Sequence, residues 1–387
     1  MRQFSSIFSQ LLKLFSRADF EQAASRHKAD RAAKGFECWT QFVAMLFCQL
    51  GRAHSLREIC GGLASTEGKL NHLGVERAPA RSTLAYANAK RPWELFEEVF
   101  MHLLQRCQGL AGPKPFRFKN KLFSMDATVI DLCLEIFDWA KFRRAKGAIK
   151  LHLLLDHDGC LPCFAAITEG RTHEIRVART LDWPPGSIVA MDRGYVDYAL
   201  LDSFQERGVF FVTRLKDNAK FTTEAELSAA KGNILADQMI NLPGSGRNHS
   251  PVRLLRRVVV WDPAAGREIV LLTNNMKLAA GTIAAIYKQR WQIELFFKAI
   301  KQNLKIKTFV GTSSNAVRIQ IWTALIAILL LKYLQMRSAL SWSLSNLVAL
   351  LRMNLFVHRS LWDWIDHPFA PPPDTPDIPI QPELALA

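Results

Sequence analysis

Leu122-Phe-Ser-Met-Asp-Ala-Thr-Val-Ile-Asp-Leu132 is a run of apolar and β-branched residues around Asp126, with a second aspartate, Asp131, near its end. Such a run predicts a strand, and the elements that follow it decide the fold. Ile149 to Leu155 and Cys163 to Thr168 are two further strands, joined at Asp156-His-Asp-Gly. An Asp-x-Asp-Gly between strands is turn chemistry before it is a metal site. Next come a helix from His173 to Leu181, a strand ending in Asp192, a helix from Tyr198 to Arg207 and a strand from Val209 to Leu215. Three strands followed by helix-connected ones predict an α/β fold, a mixed sheet flanked by helices. If the first and fourth strands are neighbours, Asp126 and Asp192 lie side by side.

Residues 1–112 read as an all-α N-terminal domain, with apolar residues spaced by three and four (Phe8, Leu11, Leu12, Phe15; Phe42, Leu46, Leu50). Ser55 and Glu58 form a capping box, and a second helix begins near Ser82 and ends at Lys90 and Arg91 before Pro92. This is the outline of a helix-turn-helix DNA reader, with Arg81, Lys90 and Arg91 as its candidate DNA contacts. Any small helical domain contains such helix pairs, so the basic charge carries most of that reading. The Gly- and Pro-containing linker at 109–115 marks a boundary. Residues 113–215 plus 276–310 form the mixed α/β unit. Residues 216–275, with a polar loop, a Gly-rich segment and a hairpin from Arg253 to Thr273, read as a β-strand insertion subdomain. Residues 311–367 are a C-terminal helical region suited to dimerisation, and 368–387 a Pro-rich extended or disordered tail.

The 50 Lys and Arg against 35 Asp and Glu give a net charge of +15, which favours a polyanionic partner. An anionic membrane surface fits the same number. With 49% hydrophobic and 22% charged residues, the composition excludes a disordered chain. The seven cysteines are odd in number and lie mostly in apolar runs, so reduced buried thiols are expected, with Cys160 and Cys163 at a hairpin rather than on zinc. No cleavage site follows the apolar start, and Ile321 to Leu331 is too short to span a bilayer. A cytoplasmic protein in contact with DNA, and no membrane partner, is expected.

Near the end, Tyr287, Arg290, Glu294 and Lys301 form a Y-x2-R-x3-E-x6-K array. With Lys298 they share one stripe of what reads as a single helix, opposite the apolar stripe of Ile286, Ile293, Phe297, Ile300 and Leu304. A solvated face of i,i+4 ion pairs is the plain alternative. Asp126 alone reads equally as a satisfied polar residue, and Asp192 as a helix cap, with Gly194 permitting the turn after it. Taken together, three separated carboxylates ringed by cations suit divalent metals held against a phosphodiester. Two Mg2+ ions, with Mn2+ as a substitute, would serve an in-line displacement.

These residues resemble a known family, the DDE insertion-sequence transposases with a ribonuclease-H-like catalytic domain, in the branch with a YREK signature. Asp126-Ala-Thr and Asp192-Arg-Gly-Tyr look like its first and second acid motifs, and Phe211-Val-Thr-Arg-Leu-Lys-Asp-Asn like its strand after the second acid. The resemblance covers about residues 118–310. It implies a ribonuclease-H-like mixed sheet interrupted by the β-rich insertion. It also implies a homodimer acting on double-stranded DNA, with cut-and-paste transposition at terminal inverted repeats through a hairpin intermediate. Asp126, Asp192 and Glu294 would be catalytic and hold the metal, while Tyr287, Arg290 and Lys301, with Lys298 and Arg193 beside them, would contact DNA. The family's base-stacking tryptophan has Ile269 in its place here, and Trp261 on the partner strand is the substitute candidate. A ribonuclease-H-like nuclease or resolvase without strand transfer, and a non-catalytic DNA-binding regulator, remain open on the sequence.

Overall fold

β1 (Leu122–Leu132) is the strand on which the rest of the sheet is assembled. In the computed structural model it pairs antiparallel with β3 (Lys146–Asp156), with Asp126 opposite Leu153, and parallel with β5 (Ile188–Met191). β3 also pairs with the short β2 (Lys141–Arg143) and with β4 (Leu161–Glu169). β5 is reached from β4 through α7 (Glu174–Thr180), and beyond it lies the parallel β6 (Phe210–Arg214), reached through α8 (Tyr198–Glu206). This is the expected ribonuclease-H-like mixed sheet, and the first and fourth predicted strands are indeed neighbours.

The described residues are 4–31, 35–66, 68, 70–112, 116, 118–133, 136–137, 139–143, 146–242, 253–304, 306 and 308–370. The linker prolines Pro113 and Pro115, most of the Gly-rich segment and the tail from 371 lie outside them.

The β-rich stretch 216–275 does not stand apart from the sheet. β7 (Thr222–Ser228), β8 (Ile234–Leu242), β9 (Arg253–Asp262) and β10 (Arg267–Thr273) continue it, because β10 pairs antiparallel with β6. Ten strands thus form one sheet among the described residues. Arg256 and Asp237 fasten the extension. They form a buried bidentate pair, 2.7 and 2.8 Å long, and Arg256 also donates to the carbonyl of Leu278 at 2.6 Å. That carbonyl lies just before α9 (Ala280–Gln289), so the insertion is clamped to the helix that carries Tyr287.

The N-terminal helices are α1 (Ile7–Leu12), α2 (Arg17–Arg26), α3 (Cys38–Leu50), α4 (Leu56–Ala64), α5 (Arg81–Lys90) and α6 (Glu94–Gln108). At the other end come α10 (Trp291–Asn303), α11 (Ser314–Arg337), α12 (Leu344–Asn354) and α13 (Leu361–Asp366). α11 runs 24 residues, longer than its apolar centre suggests, and is long and apolar enough to cross a membrane. It is instead buried between α3, α5, α6 and β4, where Trp322 stacks on Trp93 and packs against Phe100. One apolar core therefore joins Phe42 and Phe96 of the N-terminal helices to Leu151 of the sheet, Ile293 of α10 and Leu325 of α11. Buried Gln320 satisfies both ends of its amide on the loop after α10, accepting from Val310 N at 2.9 Å and donating to Thr308 O at 2.8 Å.

Candidate active site

Sheet register brings the two aspartates together. β1 and β5 are parallel with Met125 opposite Met191, so Asp126 and Asp192, one residue further on, stand level on neighbouring strands. Leu122 of β1 and Ile188 and Ala190 of β5 belong to the core beneath α9, so the residues in step with them, the two aspartates, leave the sheet on that face. Each carboxylate is locally anchored. Asp126 Oδ1 accepts from Ala127 N at 2.8 Å, and Asp192 caps the 3-10 turn Arg193–Tyr195 by accepting from Arg193 N. Gly194 in that turn has an ordinary negative φ and open space where a Cβ would be, so the turn does not require glycine.

Glu294 reaches the same place from α10. The expected single helix is two: α9 ends at Gln289, α10 starts at Trp291, and Arg290 is the joint. Across it the chain tightens to i→i+3 bonds, from Arg290 N to Tyr287 O and from Ile293 N to Arg290 O, both 3.1 Å. The joint leaves Trp291 exposed and turns Arg290 inward, with 12% of its side chain exposed. There Nη1 donates to Asp126 Oδ2 at 3.4 Å, Nη2 donates to Glu294 Oε1, and the guanidinium lies over the Tyr287 ring, 5.6 Å from its centroid. One cation thus links carboxylates from the sheet and the helix.

The field at this spot is acidic. Burial pushes the Asp126 carboxyl up to about 6, the neighbouring Asp192 and Glu294 add to the rise, and the Ala127 N–H and Arg290 oppose it. Burial likewise raises the Tyr287 hydroxyl. Lys301 on α10 donates to Thr128 Oγ1 at 2.6 Å and to Val129 O at 3.1 Å, pinning the helix along β1 two residues beyond Asp126.

The other expected residues divide. Lys298 is exposed on α10, and Arg193 is half exposed in a 3.0 Å ion pair with Asp217. Arg81 and Lys90 are exposed at the two ends of α5, and Arg81 borders a 340 Å3 recess with His54 and Arg57. The capping box is present: Ser55 Oγ accepts from Glu58 N at 3.1 Å, while Glu58 accepts from His54 N at 2.8 Å. Arg91 is not available to a ligand. Its guanidinium, with a tenth of the side chain exposed, donates to Gln41 Oε1 and Phe36 O and lies over the Phe36 ring. Trp261 pairs with Glu268, whereas Val260 and Ile269 point to the α9 side. Its ring therefore leaves the sheet on the face opposite the aspartates, and it does not join the site. The Asp156 turn is turn chemistry: Asp156 Oδ1 accepts from Asp158 N at 2.9 Å, and Lys121 pairs with both acids. A cavity near 1000 Å3 lies beside that turn, lined by Lys121 and Phe123 at the start of β1 and by none of the three carboxylates. The sequence pattern does not single out Arg214, which the sheet sets level with Asp192 at the end of β6.

Comparison with known proteins gives the family of the chain. A family model described as a transposase DDE domain matches residues 117–330, and one described as a domain of unknown function (DUF4372) matches residues 3–76. A protein of Sinorhizobium fredii named as a transposase is 35% identical over 71% of this chain and 77% of its own length. A protein of Geobacillus stearothermophilus, named as a transposase for insertion sequence element IS5377, is 30% identical over 65% of this chain and 67% of its own. A solved synaptic complex of piggyBac transposase with hairpin DNA aligns over 90% of this chain and 78% of its own at 10% identity, with a TM-score of 0.42. With more than half its length in the DDE domain and relatives of this identity, the chain belongs to the DDE insertion-sequence transposases, enzymes that cleave and transfer nucleic-acid strands.

Proposed function

We propose that the chain excises an insertion sequence at its terminal inverted repeats and joins it to target DNA. In this reading Asp126, Asp192 and Glu294 hold divalent cations at the reacting phosphodiester. The observation that carries it is the level pair of aspartates on neighbouring strands, with Glu294 tied to the same spot through Arg290. The relative named as a transposase for an insertion sequence element favours this substrate.

The donor set fits a hard cation: three carboxylates, no sulfur ligand, and an Asp126 whose ionisation is held back by burial and by the neighbouring acids Asp192 and Glu294. Among the described residues no three acidic, histidine or cysteine side chains converge closely enough to hold an ion as they stand. Arg290 supplies the positive charge between two of the carboxylates. When bound, two Mg2+ ions, or Mn2+ in their place, would activate the attacking oxygen and stabilise the leaving one. Arg290 then has its guanidinium free for a phosphate oxygen, which it meets as a planar fork, and Tyr287 beside it offers a hydroxyl. Lys301 holds α10 against β1 and sets the Glu294 carboxylate at the sheet edge. Exposed Lys298, Arg193, Arg81 and Lys90 extend a basic surface for the flanking duplex. Synapsis of two ends by a homodimer, opening through a DNA hairpin and action in the cytoplasm complete the reading.

Cleavage of labelled duplex bearing the flanking inverted repeat, in Mg2+, Mn2+ or EDTA, tests it. Metal-dependent nicking at the element border, lost in Glu294→Ala while binding persists, is the expected result, and a hairpin product identifies the branch. Cleavage without strand transfer would replace transposition by a nuclease function. Binding without any cleavage would leave a regulator.

A further inference from the structure

The row of residues that holds the two aspartates continues one strand further, to a cation. β5 and β6 are parallel with Ala190 opposite Val212, so Arg214, two residues beyond Val212, lies level with Asp192, just as Asp192 lies level with Asp126. Strands in a sheet are about 4.8 Å apart, which puts the three Cα atoms in a line about 10 Å long. Alternate residues on a strand share a face. Phe210 and Val212 pack into the core beneath α9, so Arg214 leaves the sheet on the side of Asp126, Asp192 and Tyr287. Leu271, its partner on β10, belongs to that same core and closes the far flank.

Arg214 is half-buried, and among the described residues neither a carboxylate nor a carbonyl pairs with it. Nearby arginines differ: Arg193 has Asp217, Arg256 has Asp237, and Arg290 has Asp126 and Glu294. Tyr287 feels the charges of Arg290, Asp192 and Arg214 together, so the Arg214 head group is within electrostatic reach of the site. A partly desolvated guanidinium that makes no ion pair among the described residues favours an anion.

We infer that Arg214 is a phosphate ligand, binding a non-bridging oxygen of the phosphodiester addressed by the three carboxylates, from the flank opposite Arg290. This deepens the function proposed above and rests on it. The phosphate would then be held between two planar cations, one on the sheet and one at the helix joint, fixing its orientation as well as neutralising it.

The test uses the full chain, as wild type, Arg214→Ala, Arg214→Lys and Glu294→Ala. The probe is a duplex carrying the flanking inverted repeat, with either the natural border phosphate or a neutral methylphosphonate there. Binding is measured in Ca2+ and cutting in Mg2+. Arg214→Ala is expected to slow cutting about 100-fold and to lower the salt slope of binding by about one. Arg214→Lys should restore the slope but only part of the rate. On the methylphosphonate duplex wild type and Arg214→Ala should bind nearly alike, because the charge that the guanidinium would meet is already gone. Equal weakening of both duplexes by Arg214→Ala, or wild-type binding and cutting, would overturn the inference. If Glu294→Ala is dead while Arg214→Ala matches wild type, the inference falls and the proposed function stands. If no protein cuts but the methylphosphonate difference is present, the phosphate contact stands and the proposed function falls. Should Arg214→Ala fail to fold, Arg214→Lys on the two duplexes decides the same question.

Discussion

Arg290 and Asp126 are 164 positions apart in the chain, yet Nη1 of one lies 3.4 Å from Oδ2 of the other, across the gap between helix joint and sheet. The same guanidinium also holds Glu294. It performs, with a side chain, part of the charge neutralisation that a divalent cation would perform. Arg290→Gln should therefore make the fold lean more on added metal. We expect Mn2+ to stabilise Arg290→Gln by roughly 1 kcal/mol more than it stabilises the wild type, read from thermal unfolding with and without the ion. An equal gain in both proteins would show that the guanidinium and the ion do not share a site.

Asp126 sets a pH dependence whose sign can be worked out. Its folded carboxyl titrates at about 6, above the ordinary 3.8. The folded state therefore disfavours the charged form, and the penalty is present above pH 6 and vanishes as pH falls towards 4. Asp126→Asn should be more stable than wild type at pH 8 by about 2–3 kcal/mol, with the two converging at pH 4. Urea unfolding across that range is the check, and a variant less stable at pH 8 would contradict it. The same substitution should abolish metal-dependent cutting.

The Arg256–Asp237 pair is almost fully buried, with 5% and 2% of the side chains exposed. Removing one partner leaves an uncompensated charge inside the sheet. Asp237→Ala should cost about 3–5 kcal/mol, read as a lowered denaturation midpoint. Because Arg256 also holds the carbonyl ahead of α9, hydrogen exchange should rise at 275–280 as well as in β8 and β9. Protection unchanged there would show that the clamp stops at the insertion.

Three basic residues of the N-terminal helices separate by environment. Arg91→Ala should lower stability by about 1–3 kcal/mol and leave the salt slope of DNA binding unchanged, since its guanidinium is spent on Gln41 and Phe36. Arg81→Ala and Lys90→Ala should do the reverse, each lowering the slope by about one. Fluorescence anisotropy against salt concentration distinguishes the two patterns.

The strand order and the level pair of aspartates were legible because β-branched runs and turn residues are local signals, and parallel neighbours follow from the helical connections. The joint at Arg290 was not. Between Thr282 and Asn303 the chain has no glycine or proline and an unbroken helical spacing, so nothing local marks the break. Packing of two apolar faces on different parts of the sheet imposes it. β7 escaped notice because its side chains are nearly all exposed and carry no alternation. The burial of Arg91 has no local signal because its partners, Phe36 and Gln41, lie 55 and 50 residues away. Arg214 illustrates the converse: a common residue in an expected strand, given its place only by a register two strands wide.

The core that runs from Phe42 through Leu325 to Ile293 and Leu151 has a metrical consequence. Asn315 of α11 bonds the carbonyls of Asn88 and Arg91, so the end of α5 is riveted to the same framework that carries Glu294. Any DNA gripped by the N-terminal helices would be held at a set distance from the carboxylates, as along a ruler. The protein would then count base pairs to its cut with its own skeleton, and inserting one pair between the gripped sequence and the border would move the nick by one pair, not the protein.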